Sequence, residues 1–273
     1  MQNNTRINMK KLLFFLIILI SCYLILLYLF QRKLIYFPNY ERPKLADHHA
    51  TDMRVVDIKS CDGLILSSWY KEPISKEKPV VLYLHGNGGH IGYRMPIARQ
   101  ILNRGYGLLL LEYRGYGGNK GYPFEKGLYC DARGAIHYLN EIGIPSNQII
   151  LYGESLGTAV ATELAVDNES PCLILQSPFS SLSSVAKYHY PWLPLKPKDK
   201  FDSLSRITNI KLPQLILHGD KDKVVPIEEA MALFQKANSP KEFIIFPNKG
   251  HDDLWNGDFY EKLFSFIEKY CVI

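Results

Sequence analysis

QIILYGESLGTAVATELAV, residues 148–166, decides how this chain is read. Its first part, Gln148 to Tyr152, is an apolar run without alternation, as a strand covered on both faces requires. Its last part, Leu156 to Val166, is apolar and suited to a buried helix. Between them stands Gly153-Glu154-Ser155-Leu156-Gly157. A G-x-S-x-G pattern arises by chance in about one chain in ten of this length, since Gly and Ser each make up about 7% of residues. Alone it says little. Its setting says more, because a sharp strand-to-helix turn leaves no room for side chains at the two flanking positions and lifts the Ser155 hydroxyl above the strand edge.

Outward from this point, further strand candidates are Met53 to Ile58, Leu64 to Tyr70, Val80 to Leu84, Gly107 to Glu112, Cys172 to Gln176, Gln214 to Leu217 and Glu242 to Phe246. Helical periodicity lies between them. In Glu125 to Ile142, Leu128, Ala132, Ala135, Ile136, Leu139 and Ile142 recur at spacings of three and four, one apolar face for a sheet. Ile227 to Ala237 and Leu254 to Tyr270 are the other helix candidates. The alternation predicts an α/β domain with a mostly parallel eight-stranded sheet and helices on both faces, entered through an antiparallel pair of strands. Residues 178–207, rich in proline and aromatics, break the alternation. A connection this long in a compact domain is usually functional, and it reads as a small cap.

Serine is a weak nucleophile at neutral pH and needs a base, which in turn needs an orienting carboxylate. His251 lies in a polar loop after the last strand, and Asp220 and Asp222 lie in the loop after the preceding one. Serine, acid and base in that order, each just past a strand's carboxyl end, share one rim of a parallel sheet. His85-Gly86-Asn87-Gly88-Gly89 follows the strand Val80 to Leu84, and its small residues let backbone N–H groups approach a ligand. The N–H groups of Asn87 and Leu156 are the candidate oxyanion donors.

Taken together, His85 to Gly89, Tyr113-Arg114-Gly115-Tyr116-Gly117, Gly153 to Gly157, His218-Gly219 through Asp222 to Pro226, and Gly250-His251 resemble the α/β-hydrolase superfamily. More narrowly they resemble its membrane-anchored α/β-hydrolase-domain proteins, the branch that includes protein depalmitoylases and bacterial relatives. Gln31 to Pro38 is similar to that branch too. The resemblance implies hydrolysis of carboxylic esters or thioesters, often with acyl chains, by a Ser155–His251–Asp222 triad with no metal or organic cofactor. The family's H-G-x-x-D-x-V-x-P spacing selects Asp222 over Asp220. His85 and His218 are expected in structural roles, and Arg114 and Tyr116 as loop anchors. Glu112 stands where the family commonly has aspartate, so the local loop packing departs from the pattern.

The amino terminus is of another kind. Leu12 to Phe30 is nineteen residues without a charge, roughly 28 Å of helix and close to a bilayer's hydrocarbon thickness. Lys10 and Lys11 stop it on one side, and Gln31, Arg32 and Lys33 on the other. A single crossing is expected, with Tyr23, Tyr28, Tyr36 and Phe37 as interfacial aromatics. Residues 1–38 then form the anchor and residues 39–273 the catalytic domain. Leu19-Ile20-Ser21-Cys22 resembles a lipoprotein processing box, but the apolar run continues past Cys22, which favours the uncut helix. Basic residues are balanced across the span, so orientation is open. Cys61, Cys130, Cys172 and Cys271 are scattered without ligand-like spacing and read as buried free thiols.

The chain has 273 residues, 47% apolar and 22% charged, proportions that exclude a disordered chain or a small disulfide scaffold. Its net charge of +5 equals the sum of Arg6, Lys10, Lys11, Arg32 and Lys33, which bracket the helix. No Lys/Arg-rich run suggests a nucleic-acid partner. The expected partners are the membrane and an acyl ester or thioester, whether lipid or acylated protein. A serine peptidase on the same fold and a catalytically idle binding module are the alternatives.

Overall fold

The computed structural model describes residues 2–271, with side chains from Met9 onward. The expected flank charge at Arg6 therefore lies outside the described side chains. Helix α1 runs from Gln2 to Ile35. Its segment Met9–Ile35 is long and apolar enough to cross a membrane. Most of its side chains are exposed, as Leu12, Phe14 and Leu19 are. Leu24, Leu27, Gln31 and Ile35 are half-buried and recur at spacings of three, four and four, so one stripe of the helix packs on the rest of the chain.

Eight strands form one sheet: β1 (Arg54–Lys59), β2 (Ile65–Lys71), β3 (Val80–Leu84), β4 (Gly107–Leu111), β5 (Ile149–Glu154), β6 (Leu173–Gln176), β7 (Gln214–Gly219) and β8 (Lys241–Phe246). Their spatial order is β8-β7-β6-β5-β3-β4-β2-β1. β2 runs antiparallel to both neighbours, and every other pairing is parallel. Side-chain alternation splits each central strand between two cores. Val80, Leu82 and Leu84 face α3 (Glu125–Glu141), α4 (Leu156–Val166) and α7 (Ile227–Lys236). Val81 and Tyr83 face α2 (Met95–Asn103) and α8 (Gly257–Tyr270). Burial on both faces explains why β3, β4, β6 and β7 are continuous apolar runs.

Three helices had no counterpart in the sequence reading: α2, α5 (Leu182–His189) and α6 (Ser203–Ile207). Pro96, in the first turn of α2, suits a helix start, where the lost N–H has no partner within the helix. α5 and α6 lie in the cap segment. Their entries are capped by Ser181 and Asp202, whose side chains accept from the N–H groups of Ser184 and Ser205.

The reading of the four domain cysteines as free thiols is corrected. Cys61 is bonded to Cys130 and Cys172 to Cys271. The partners are 69 and 99 residues apart in sequence, while their Cα atoms are 5.2 and 5.6 Å apart. Only the fold brings them together, so sequence spacing carried no sign of it. Cys22 is free and exposed.

Candidate active site

β5 ends at Glu154, and Ser155 turns the chain into α4 with φ 50° and ψ −115°. Positive φ is strained for a residue with a side chain. Ser155 N–H donates to Gln176 O at 2.8 Å, and Ser155 O accepts from Thr158 N–H at 2.9 Å, which holds the turn in place. The expected lack of room at the flanking positions is visible: a Cβ on Gly153 would lie 2.5 Å from Gly157 O, and one on Gly157 would overlap Leu84 O. That second approach presses the turn against the end of β3, where the His85–Gly89 loop begins.

The structure brings Ser155, His251 and Asp222 together. His251 Nε2 is 3.0 Å from Ser155 Oγ, and its Nδ1 is 2.7 Å from Asp222 Oδ2. An ionised carboxylate only accepts, so Nδ1 carries the proton and Nε2 is free to accept from the hydroxyl. Asp222 Oδ1 accepts from the N–H groups of Val224 and Val225, both at 2.8 Å. Burial raises the Asp222 pKa, but the hydrogen bond and charge of His251 and the loop N–H groups leave it below its ordinary value. Burial depresses His251, and the hydrogen bond and charge of Asp222 more than offset that, leaving the imidazole above its ordinary value. His218, buried behind this pair, has Nε2 2.9 Å from Val225 O and so braces the acid loop. Asp220 stands apart from the imidazole. Its Oδ1 accepts from Asn248 N–H at 2.6 Å and ties the two loops together.

Asn87 and Leu156 both line the cavity that meets Ser155, and neither N–H has an acceptor among the described residues. The Asn87 loop is held from several sides. Its side-chain Nδ2 donates to Ile35 O at 2.9 Å, and its carbonyl accepts from Phe37 N–H and from Tyr116 Oη, both at 2.9 Å. Phe37 and Pro38 pair in parallel register with Gly88 and Gly89. The chain leaving α1 is thereby stitched to the loop that carries the candidate oxyanion donor. Glu112, the departure from the family pattern, reaches this loop as well. Its Oε2 accepts from Ile91 N–H at 3.0 Å, and its Oε1 lies 3.2 Å from His85 Nε2. Arg114 is paired with Asp131 and Asp62, away from the serine.

Arg94 was missed in the sequence. Its Nε and Nη2 donate to the two oxygens of Glu154 at 3.0 and 2.8 Å, and its Nη1 donates to Gly88 O at 2.8 Å. It joins the residue before the serine to the Asn87 loop. Little signal was available in the sequence, since Arg94 shares the segment Ile91 to Ile101 with Arg99 and nothing local tells the two guanidinium groups apart. Burial raises the Glu154 pKa, but the charge and hydrogen bonds of Arg94 leave it below its ordinary value.

A cavity of about 620 Å³ extends from Ser155 and Asn87 between the cap and α1. Phe179, Val185 and Leu193 stand on one side, and Leu27, Leu34 and Ile35 of α1 on the other. Among the described residues, no aspartate or glutamate lines it. Among the same residues, no group of three or more His, Cys, Asp or Glu is arranged to hold a metal ion.

Comparison with known proteins agrees with this architecture. The family described as serine aminopeptidase, S33, matches residues 75–206 and 201–256. An uncharacterized protein of Mycobacterium tuberculosis is 39% identical over 227 residues, covering 82% of this chain and 81% of its own length. The lysophosphatidylserine lipase ABHD12 of Rattus norvegicus is 33% identical over 199 residues, or 64% of this chain and 49% of the lipase. Among solved structures, the Pyrococcus furiosus esterase Pf2001 superposes with a TM-score of 0.71 at 20% identity, covering 87% of this chain and 98% of the esterase.

Proposed function

We propose, from the premise that this chain belongs to the α/β-hydrolase family described as serine aminopeptidase, S33, that it is a membrane-anchored serine hydrolase of acyl esters or thioesters. The observation that carries the reading is the continuous hydrogen-bonded line from Ser155 Oγ through His251 to Asp222. Ser155 attacks the carbonyl while His251 Nε2 takes the hydroxyl proton. Asp222 orients the imidazole and stabilises its charge. The N–H groups of Asn87 and Leu156 receive the developing oxyanion, and loss of one such donor typically costs about 3 kcal/mol of transition-state stabilisation. His251 returns the proton to the leaving group. Water, activated by the same imidazole, then releases the acyl group from Ser155.

The apolar cavity supports an acyl substrate over a peptide. A free α-amino group is recognised by a carboxylate, and no acidic residue lines the cavity among the described residues, while Glu154 beside the serine is engaged by Arg94. The lipase named among the relatives supports the same choice. The helix Met9–Ile35 supports a single crossing. Two disulfides support a domain exposed to an oxidising compartment, where such bonds persist.

A fluorophosphonate probe is expected to label the wild type and not Ser155→Ala, with turnover of acyl esters exceeding that of aminoacyl amides. Equal labelling of both proteins would refute the nucleophile, and preferential amide turnover would refute the substrate class. Thiol alkylation of intact cells, with and without reductant, reads the compartment. Four domain thiols reactive without reductant would place the domain on the reducing side.

A further inference from the structure

The cavity at Ser155 does not end within the catalytic domain. Tyr23, Leu27, Gln31 and Ile35 line it, and they fall at helical spacing along one face of α1. From Ile35 back to Tyr23 is twelve residues, or roughly 18 Å along the axis, which reaches well into the apolar segment. The opposite wall is the cap, through Val185, Ala186 and Leu193. Helix and cap are fastened to each other. Arg32 donates to both oxygens of Asp199 at 2.9 Å, Tyr36 Oη donates to the same carboxylate at 2.9 Å, and Lys198 N–H donates to Gln31 Oε1 at 2.6 Å. The groove between them is a built wall rather than a chance contact.

Resting on the ester-hydrolase reading above, we infer that the membrane helix is itself one wall of the acyl site, and that the occupant is the long acyl chain of a membrane lipid entering sideways from the bilayer. A chain extended from Ser155 along Ile35, Gln31 and Leu27 moves toward the hydrocarbon without crossing water. The rim has the composition of a membrane interface. Tyr188, Tyr190 and Trp192 are exposed, Lys196 lines the cavity, and Lys198 Nζ sits 4.3 Å from the Tyr28 ring centre. Cations at this rim suit a phosphate-bearing headgroup, which favours a lipid over an acylated polypeptide. The cavity volume falls within the range of about 300 to 1,000 Å³ usual for small-molecule sites.

The test uses the full chain in phosphatidylcholine vesicles, with a fluorogenic palmitoyl ester dissolved in the bilayer and the water-soluble butyryl ester of the same fluorophore. The readout is the ratio of palmitoyl to butyryl kcat/KM. Leu27→Trp, which fills the groove from the helix side, and Ala186→Trp, which fills it from the cap, should each lower that ratio at least tenfold. Leu29→Trp, on the exposed opposite face of α1, should leave it within twofold. Should a tryptophan variant fail to label with fluorophosphonate, Leu27→Ala replaces it, and the enlarged groove should shift the preferred chain length upward by two or more carbons. An unchanged ratio in Leu27→Trp, or an equal fall in Leu29→Trp, would overturn the helix wall while leaving the hydrolase reading intact. Absence of both labelling and butyryl turnover in the wild type would instead defeat the hydrolase reading. Deacylation of a vesicle-bound palmitoylated peptide more than tenfold faster than that of 1-palmitoyl lysophospholipid in the same vesicles would overturn the choice of lipid.

Discussion

Arg94→Met removes a guanidinium that holds two parts of the site together while keeping an apolar stem of similar length. Arg94 and Glu154 have side chains only 10% and 14% exposed, and the variant leaves Glu154 without its cation. Removing one partner of a buried pair costs about 3 to 5 kcal/mol. Glu154 keeps the Tyr83 hydroxyl at 2.7 Å and a little solvent, so the lower figure of about 3 kcal/mol applies. At about 2 to 4 °C per kcal/mol for a domain of this size, the unfolding midpoint should drop by about 6 to 12 °C. The pH dependence has a definite sign. In the wild type the Glu154 pKa is depressed, so its contribution to stability is present above the unfolded value and lost as pH falls. In the variant burial dominates and raises that pKa, so stability is retained at low pH and lost as pH rises. The gap between the two proteins must therefore widen from pH 5 to pH 7. Thermal unfolding of the full chain in detergent micelles, followed by near-UV circular dichroism, measures it, and Arg94→Met/Glu154→Gln should recover part of the loss. A midpoint within 2 °C of the wild type at pH 7, or a gap that stays flat between pH 5 and 7, would refute the reasoning.

Asp222→Asn should cut kcat on the order of 10⁴-fold by removing the partner that fixes the His251 tautomer, with folding intact by circular dichroism. Because Asp222 holds the His251 pKa above its ordinary value, the acidic limb of the wild-type kcat/KM profile should lie above about pH 6.5, activity falling as pH drops through it. Residual activity of Asp222→Asn should have that limb displaced downward. Gly157→Ala, whose methyl would overlap Leu84 O, should yield protein that is aggregated or inactive toward every acyl ester, as read by size-exclusion chromatography and turnover. Reduction of both disulfides, which close loops of 69 and 99 residues, should lower stability by about 4 to 5 kcal/mol per bond on the chain-entropy account, measured as denaturation midpoints with and without dithiothreitol.

What the sequence made legible follows from what each feature depends on. The strands β3, β4, β6 and β7 were readable because burial on both faces demands unbroken apolar runs, and the candidates Ser155, Asp222 and His251 because each closely follows a strand. The helix α2 was not, since nine residues give few periods to count. The α1 stripe was hidden for a different reason: a helix apolar all round shows no polar face to mark the side that packs. The bond from Arg94 to Glu154 spans 60 residues, and neither residue shows in its own neighbourhood what it will meet. Glu112 could be seen to be unusual, but only the fold shows its longer side chain spanning to Ile91 N–H and His85.

The two cross-links also divide the site in a way that bears on damage. The loop closed by Cys61 and Cys130 contains Asn87, Arg94 and Glu112, and the loop closed by Cys172 and Cys271 contains the whole cap, Asp222 and His251. Ser155 stands between them on a stretch that neither loop encloses. A protease nicking the chain once at any point from 62 to 129 or from 173 to 270 leaves its products covalently joined, so the cut enzyme remains one molecule with its candidate acid, base and nucleophile on a common frame. Between 131 and 171, or ahead of Cys61, a single cut does release a piece. Nicks inside either loop would be invisible on a non-reducing gel and appear only when the disulfides are reduced.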